Sequence, residues 1–289
     1  MKVILTTDGS NVSENAIKWF CQLAIHDHQK YPVVTVSNHF AYGMISREVH
    51  EELGRLGQIE LSENYQRAAK IINACGLESV HVALTGQAAD QITQYAQESS
   101  AELVVVSAHG SKRLERALLG STSESIATHA HCSVLVVRGA DRPPSPASRS
   151  IHVTLASDGS ESASETASQM RGLGLPLNTK LSLITIIEHP TLLDPRMQYD
   201  HQLTELAQSK LDKLSEQLQP AFPLVETRVL EKGHIGVAIE NFLVDSQTDL
   251  VVVRDKGRSA ISRFFLGSVS RFVLHRAQCS VLVLKKRKE

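Results

Sequence analysis

Short apolar runs rich in β-branched residues alternate along the first half of the chain with longer stretches of helical periodicity. Runs such as LVVV at 103–106 lack polar alternation, which is typical of strands buried on both faces of a parallel sheet. The order βαβαβαβαβ therefore predicts a doubly wound α/β domain. The five predicted strands are Val3–Thr7, Val33–Ser37, Val80–Leu84, Leu103–Ser107 and Val134–Arg138.

The second half repeats both the pattern and parts of the sequence itself. VILTTDGS returns as VTLASDGS, and HCSVLVVR returns as QCSVLVLK. Such self-similarity indicates two copies of one domain. We predict two tandem doubly wound domains, each a five-stranded parallel sheet with helices on both faces. The predicted strands of the second copy are Val153–Ser157, Leu181–Ile187, Val225–Leu230, Leu250–Arg254 and Val281–Leu284.

The repeat also predicts where the domains begin and end. The first domain is expected at 1–140 and the second at 151–284. Between them, the segment 141–150 has three prolines, three serines and neither hydrophobic period, which is typical of a linker. The last residues, 285–289, carry four basic side chains and are expected to be a solvated tail.

Composition narrows the class of protein and the compartment. With 289 residues, 42% of them hydrophobic, and a formal net charge of −1, the chain is long enough for two cores and has no excess charge that predicts a nucleic-acid partner. It lacks an export signal at its start and an apolar run long enough to span a membrane. Its four cysteines form no CxxC pair or disulfide framework. We therefore expect a cytoplasmic protein without membrane contact.

An aspartate follows the first strand of each copy, at Asp8 and Asp158. In doubly wound sheets, ligands bind beyond the carboxyl ends of the strands, where the strand order reverses. A carboxylate at that edge can accept hydrogen bonds from ribose hydroxyls or a base amine. The Asp-Gly-Ser segment equally suits a helix cap, so the residues alone leave both interpretations open.

The segment after the fourth strand predicts a phosphate site more specifically. Gly110 and Gly120 are separated by nine residues, and Gly120 precedes a helix whose free N–H groups and positive dipole end suit a phosphate. The hydroxyls of Ser121 and Ser123 can add donors. Ser121 and Glu124 also form a capping-box pattern, which is the structural alternative. The chain has no GxxxxGK[ST] motif and no GxGxxG after the first strand, so neither a P-loop nor a Rossmann dinucleotide site is supported.

With DGS after the first strand, glycine-led segments from Gly86 and Gly233, and a G-x9-G-[ST] loop, the chain resembles the universal stress protein family, specifically its tandem members. The resemblance covers both halves. In ATP-binding members, the loop holds the phosphates and ribose, the aspartate meets the adenosine, and backbone at the end of the second strand meets adenine. The binding residues that this implies for the first copy are Thr7, Asp8, Ser37, Ser107, Gly110, Gly120, Ser121 and Ser123. For the second copy they are Asp158, Ile187, Gly257, Gly267, Ser268 and Ser270.

Each copy departs from the family loop at its first glycine. The first copy has Ser107 there, which is small and able to donate to a phosphate. The second copy has Arg254, whose guanidinium could clasp a phosphate or could fill the pocket and replace the nucleotide. The sequence leaves these two roles of Arg254 open.

The resemblance implies a stress-response sensor or regulator that binds ATP or AMP, with Mg²⁺ able to accompany the phosphates. The alternative is a stress protein that binds no nucleotide and acts as an interaction or scaffold module. No catalytic constellation and no metal-ligand motif is visible, so we expect at most a slow ATPase. In the family the last strand mediates dimers, which implies an internal pseudo-dimer of the two copies through CSVLVV and CSVLVL. A further homodimer is left open.

Overall fold

The computed structural model describes residues 1–23, 30–37, 47–110, 119–138, 150–158, 163–188, 199–255 and 266–286. The chain divides into two compact units. The first unit is Met1–Pro143 with Lys285–Glu289, and the second is Pro144–Leu284. The predicted linker residues 141–149 and the last three residues of the predicted tail lie outside the described ranges. The domain boundaries read from the sequence therefore remain a prediction.

The first unit has one parallel five-stranded sheet with the strand order β3-β2-β1-β4-β5. Helices α1 and α2 pack against each other, as do α3 and α4. Because βαβ crossovers are right-handed, reversing the strand order after β3 places these two helix pairs on opposite faces. The elements are β1 (Val3–Thr6), α1 (Asn11–Gln22), β2 (Lys30–Ser37), α2 (Arg47–Ala74), β3 (Glu78–Thr85), α3 (Ala88–Glu98), β4 (Leu103–Ser107), α4 (Ser121–His129) and β5 (Ser133–Val137).

The second unit has the same topology, with the strand order β10-β9-β6-β7-β8. Helix α5 packs on α6, and α7 packs on α8. The predicted fold class, two tandem doubly wound α/β domains, is confirmed. The elements are β6 (His152–Ala156), α5 (Ala163–Gly172), β7 (Lys180–Glu188), α6 (Tyr199–Leu218), β8 (Leu224–Lys232), α7 (Ile235–Asp245), β9 (Leu250–Arg254), α8 (Ser268–Arg276) and β10 (Ser280–Leu284).

The central strands are buried on both faces, as their uninterrupted apolar runs predict. All four residues of β1 and the first four of β4 are buried, and β6 and β9 have the same burial pattern. Strand β3, at the edge of the first sheet, instead alternates exposed and partly exposed residues. The hydrophobic core of each unit therefore lies along the middle of its sheet, under both helix layers.

The strand order reverses between β1 and β4 in the first unit and between β6 and β9 in the second. In the first unit Leu5 pairs with Val105, and in the second Leu155 pairs with Val252. The loops that follow these strands therefore start at the same level, at the carboxyl edge of the sheet where doubly wound domains form their ligand crevice. We call them the first crevice (Thr7–Ser10 with Ser107–Gly110) and the second crevice (Ser157–Asp158 with Arg254–Asp255).

Among the residues that the structure describes, none of the helices has the length and hydropathy needed to cross a membrane.

Candidate functional site

The β1–α1 loop closes around two side-chain hydroxyls. Thr7 is buried, and its Oγ1 lies 2.9 Å from Ser13 Oγ and accepts a hydrogen bond of 3.1 Å from the backbone N–H of Gly9. Ser10 is the N-cap of α1, because its Oγ accepts from Ser13 N at 3.2 Å. The capping function in this Asp-Gly-Ser segment therefore belongs to Ser10 and not to Asp8.

Asp8 organises this loop and also faces the loop after β4. Its Oδ1 accepts from the backbone N–H of Ser10 at 3.1 Å and from the Ser10 hydroxyl at 2.5 Å. Its Oδ2 lies so close to Gly110 that a Cβ at that position would be 2.5 Å away. A side chain at position 110 would displace the Asp8 carboxylate, so glycine allows this contact between the two loops. The structure brings Asp8 and Gly110 close together, and their role in a shared binding site stays a prediction.

Two residues of α2 that sequence reasoning missed hold the β1–α1 loop in place. Arg67 Nη2 donates to the carbonyl of Gly9 at 3.0 Å and to Asn64 Oδ1 at 2.6 Å. Arg67 Nε also lies 3.3 Å from Glu14 Oε1 on α1. Gly9 has φ +74°, and a Cβ there would be 2.0 Å from Asn64 Oδ1, so only glycine fits. No local sequence pattern signals these long-range contacts.

The loop after β4 is tied to the start of α4 by two hydrogen bonds to one carbonyl. The Gly120 N–H and the Ser123 hydroxyl each donate to Ala108 O at 2.7 Å. Ser123 is buried, and its single proton is used in this bond, so in this arrangement it positions the loop. A side chain at Gly120 would bring its Cβ within 3.2 Å of the same carbonyl. Glycine therefore allows the close approach of α4 to β4.

The N-cap residue of α4 is a glycine, which has no side chain to cap the helix. Its N-cap is Gly120, so Ser121 is the first helical residue and not the cap that the capping-box alternative required. Ser121 is exposed at this end. The leading N–H groups and the positive end of the helix dipole are suited to an anion.

Two buried polar atoms near the first crevice have no hydrogen-bond partner among the described residues. One is His109 Nδ1, in the loop after β4, and the other is Ser37 Oγ, at the end of β2. Buried polar groups are ordinarily paired, so these atoms suit a polar ligand. Ser37 O accepts from Gly86 N at 2.9 Å, which links the ends of β2 and β3. Within the described ranges, no group of three or more His, Cys, Asp or Glu side chains could hold a metal ion.

The second crevice keeps the same backbone frame. Gly267 N donates to Asp255 O at 2.7 Å, and the Ser270 hydroxyl donates to Arg254 O. Ser268 is exposed at the start of α8, and Asp158 is exposed after β6. The remaining predicted residues of this site are Ile187, which pairs with Glu231 near the end of β7, and Gly257, which lies outside the described residues.

Arg254 distinguishes the second crevice from the first. Its Nη1 donates to Thr166 Oγ1 at 2.8 Å, and its Nη2 lies 3.0 Å from Glu165 Oε2. The Arg254 side chain is only 15% exposed. It therefore reaches from the end of β9 to the first turn of α5, across the point where the strand order reverses.

Comparison with known proteins follows the same division of the chain. A model of the universal stress protein family matches residues 1–138 and again residues 151–285. The chain belongs to the universal stress protein family. Its two family matches make it a tandem universal stress protein.

Similar universal stress proteins occur in archaea and bacteria. One from Methanocaldococcus jannaschii is 32% identical over 138 residues, which are 47% of this chain and 81% of that protein. One from Mycobacterium bovis is 30% identical over 195 residues, so that 65% of this chain matches 63% of that protein. A universal stress protein structure from Archaeoglobus fulgidus covers 98% of this chain and 96% of that chain, with TM-score 0.68 and 17% identity, which shows the shared fold.

Proposed function

We propose that the first crevice of this tandem universal stress protein binds ATP or AMP and that the protein acts as a stress-response sensor or regulator. The observation that carries the proposal is the glycine N-cap of α4, whose backbone N–H holds the start of the helix against the loop after β4. The start of α4 is bonded to Ala108 of the loop after β4, and the Asp8 carboxylate faces Gly110 of the same loop. A nucleotide needs these two groups, because its phosphates are anionic and its ribose hydroxyls donate hydrogen bonds.

Each residue of the first crevice has a role in this proposal. The Asp8 carboxylate accepts hydrogen bonds from the ribose, and the end of β2 at Ser37 meets the adenine. Gly110 and the start of α4, with the Ser121 hydroxyl, hold the phosphates. Thr7 and Ser123 position the loops through their hydroxyls, and the Ser107 hydroxyl donates to a phosphate. Mg²⁺, when it accompanies the phosphates, supplies charge neutralisation.

The proposal assigns no catalytic residue, and hydrolysis, if measured, is expected to be slow. The compartment proposed is the cytoplasm. From the family resemblance, the last strands β5 and β10 are the proposed surfaces for pairing the two domains as an internal pseudo-dimer. Each of them is the terminal strand in its own unit's order.

The second candidate function is an interaction module that binds no nucleotide. Arg254 favours it for the second unit, because its guanidinium is already bound to Glu165 and Thr166. At the position of Arg254 the first unit has Ser107, whose side chain is too short to reach α1 in the same way. The nucleotide proposal therefore applies to the first unit.

Isothermal titration calorimetry with ATP and AMP tests this function on the full chain. Gly120→Val should weaken binding by roughly 100-fold, because its side chain separates α4 from Ala108 O and removes about two charge-assisted hydrogen bonds to the phosphates. Gly233→Val is the matched control, since a Cβ there meets nothing within 4 Å. It should bind like the wild type.

Circular dichroism and denaturation of Gly120→Val should show a folded protein. Unchanged affinity in folded Gly120→Val would mean that the phosphate loop is assigned wrongly. If the wild type binds neither nucleotide, the interaction module is the better function.

A further inference from the structure

The structure assigns Arg254 as a built-in occupant of the second crevice: its guanidinium fills the ligand position, so the second unit takes up an adenine nucleotide only when Arg254 is removed. The inference rests on the proposed function of the first unit. It makes the protein a one-site binder built from two homologous domains, with Arg254 as the residue that determines the number of sites.

The position of Arg254 is the first step. It is the last residue of β9, next to β6, at the carboxyl edge of the sheet. Its two guanidinium contacts, 2.8 Å to Thr166 Oγ1 and 3.0 Å to Glu165 Oε2, are both in the first turn of α5, which follows β6. The side chain must therefore cross the gap between β6 and β9. That gap is where a doubly wound domain binds its ligand.

In the first unit, both Arg254 and the two residues that bind it are replaced by other residues. Where the second unit has arginine on β9, the first unit has Ser107 on β4. Where the second unit has Glu165 and Thr166, the first has Asn15 and Ala16.

The hydrogen bond that the Asn15 side chain accepts lies on the exposed side of α1 and not in the first crevice. Asn15 Oδ1 accepts a hydrogen bond from Lys18 Nζ at 3.2 Å on the exposed side of α1. Ala16 is buried and has no polar group to offer. The acid and the hydroxyl that bind Arg254 are thus specific to the unit that has the arginine.

The charges around Arg254 favour its occupying the ligand position over its binding a phosphate there. The guanidinium is already paired with a carboxylate, so a phosphate would have to displace Glu165 from a mostly buried partner. Filling is therefore the role that the described contacts of Arg254 favour.

Removal of Arg254 is compatible with folding. Its Nε is buried and has no acceptor among the described residues, so a smaller side chain also eliminates an unsatisfied donor. The backbone frame of the loop does not depend on the guanidinium, because Gly267 N and the Ser270 hydroxyl bind main-chain carbonyls. Arg254→Ser with Glu165→Asn gives the second unit the residues of the first at the two positions of the ion pair.

Calorimetry with ATP on four full-length proteins tests the inference: the wild type, Gly120→Val, Arg254→Ser/Glu165→Asn, and the combination of all three substitutions. The wild type should bind one nucleotide per chain, and Gly120→Val should lose it. The Arg254→Ser/Glu165→Asn protein should bind two, and the combination should bind one. Two nucleotides on the wild type, or no added site in the Arg254→Ser/Glu165→Asn protein while the wild type binds one, would overturn the inference and leave the proposed function intact.

A second measurement does not depend on nucleotide. A double-mutant cycle between Arg254→Met and Glu165→Gln, read by denaturant unfolding, should show coupling of about tenfold in the unfolding equilibrium constant. The exposed pair Arg276–Glu240, 3.0 Å apart in the same unit, is the control and should show less than about threefold. Equal coupling in the two pairs would show that the bond between Arg254 and Glu165 is too weak to keep the guanidinium in the second crevice. Absence of nucleotide on the wild type, with strong coupling here, would count against the proposed function alone.

Discussion

The two crevices share one backbone frame and differ in what occupies it. In the first unit Gly120 N donates to Ala108 O, and in the second Gly267 N donates to Asp255 O, both at 2.7 Å. The side chains at the gap are small in the first unit, whereas the second has an arginine paired with a carboxylate. A glycine retained in such a loop therefore has a structural function of its own. Its presence does not by itself demonstrate a nucleotide site.

The frames also differ in how much room each glycine has. A Cβ at Gly120 would lie 3.2 Å from Ala108 O, whereas a Cβ at Gly267 would lie 3.5 Å from Asp255 O. The first distance is tighter than ordinary van der Waals contact, and the second is ordinary. The helix-to-loop hydrogen bond is equally short in the two units, so the difference is that a side chain is accommodated less easily at Gly120 than at Gly267.

The largest expected effect comes from introducing the ion pair of the second crevice into the first crevice. Ser107→Arg with Asn15→Glu places an arginine and its carboxylate at the positions that Arg254 and Glu165 occupy in the second unit. If the difference between the crevices is the internal ion pair, nucleotide affinity should fall by roughly 100-fold or more, since the guanidinium takes the ligand position. Calorimetry with ATP measures this loss.

The control for this transplant adds an arginine elsewhere. Gln94 already donates to Glu98 Oε1 at 2.7 Å on the exposed side of α3, so Gln94→Arg introduces an arginine with a carboxylate partner outside the crevice. It should bind nucleotide like the wild type. Wild-type affinity in the Ser107→Arg/Asn15→Glu protein would show that filling this position does not distinguish the units.

A medium effect is expected where α7 packs on α8. Gly236, the second residue of α7, faces the ring of Phe272, the fifth residue of α8, and a Cβ there would be 2.5 Å from the ring. The first unit has Ala89 and Ser125 at these places on α3 and α4. Gly236→Ala should therefore cost about 1 to 2 kcal/mol by overpacking, although alanine is the better helix former by about 1 kcal/mol.

Denaturant unfolding of the double mutant tests the cause of that cost. In the Phe272→Ser background the ring is gone, so Gly236→Ala should become neutral or stabilising. Ala89→Gly is the reciprocal control and should destabilise by about 1 kcal/mol through helix propensity alone. A cost of Gly236→Ala that persists without Phe272 would mean that the ring is not its origin.

Much of the fold could be predicted from the sequence because buried parallel strands require uninterrupted β-branched runs. The starts of the strands at and next to the sheet edge were harder to predict from hydropathy. Strand β2 begins at Lys30, before the predicted Val33, and β3 begins at Glu78, before the predicted Val80. Lys30 pairs with Glu78 through the backbone, and their side chains are 3.3 Å apart. Strand pairing is made by backbone groups, so polar residues can begin a strand before its first apolar residue, where a hydropathy pattern does not show it.

The position of the candidate site was predictable because the carboxyl ends of parallel strands meet at one edge. The separate roles of the residues in this site were not predictable. That Ser10 caps α1 while Asp8 faces Gly110 depends on backbone angles, and Arg67 reaches the loop from a different helix. For Arg254 the sequence left two roles open, because the choice depends on a partner in α5 that no local pattern identifies.

The smallest expected effect concerns pH and a histidine that only the second unit has. His152 is buried at the start of β6, where the first unit has the exposed Lys2. Its Nε2 is 2.7 Å from Ser182 Oγ, and its Nδ1 is 2.8 Å from Ser246 O. Burial lowers the pKa of His152 below its ordinary value and nearby Lys180 acts in the same direction, while the Ser246 carbonyl and the two nearby carboxylates oppose them. Those carboxylates belong to Glu226 and Asp249.

Because the pKa of His152 is lower in the folded chain, the unfolded chain binds the proton first as the pH falls. The free energy of unfolding should therefore decrease from about pH 7 towards about pH 5, below the ordinary histidine pKa of 6.5. His152→Asn should flatten this dependence when unfolding is measured across that range. His81→Asn, at a partly exposed histidine of the first unit whose pKa is also lowered by burial, should flatten it less. An equal change in both variants would mean that acid sensitivity does not distinguish the second unit from the first.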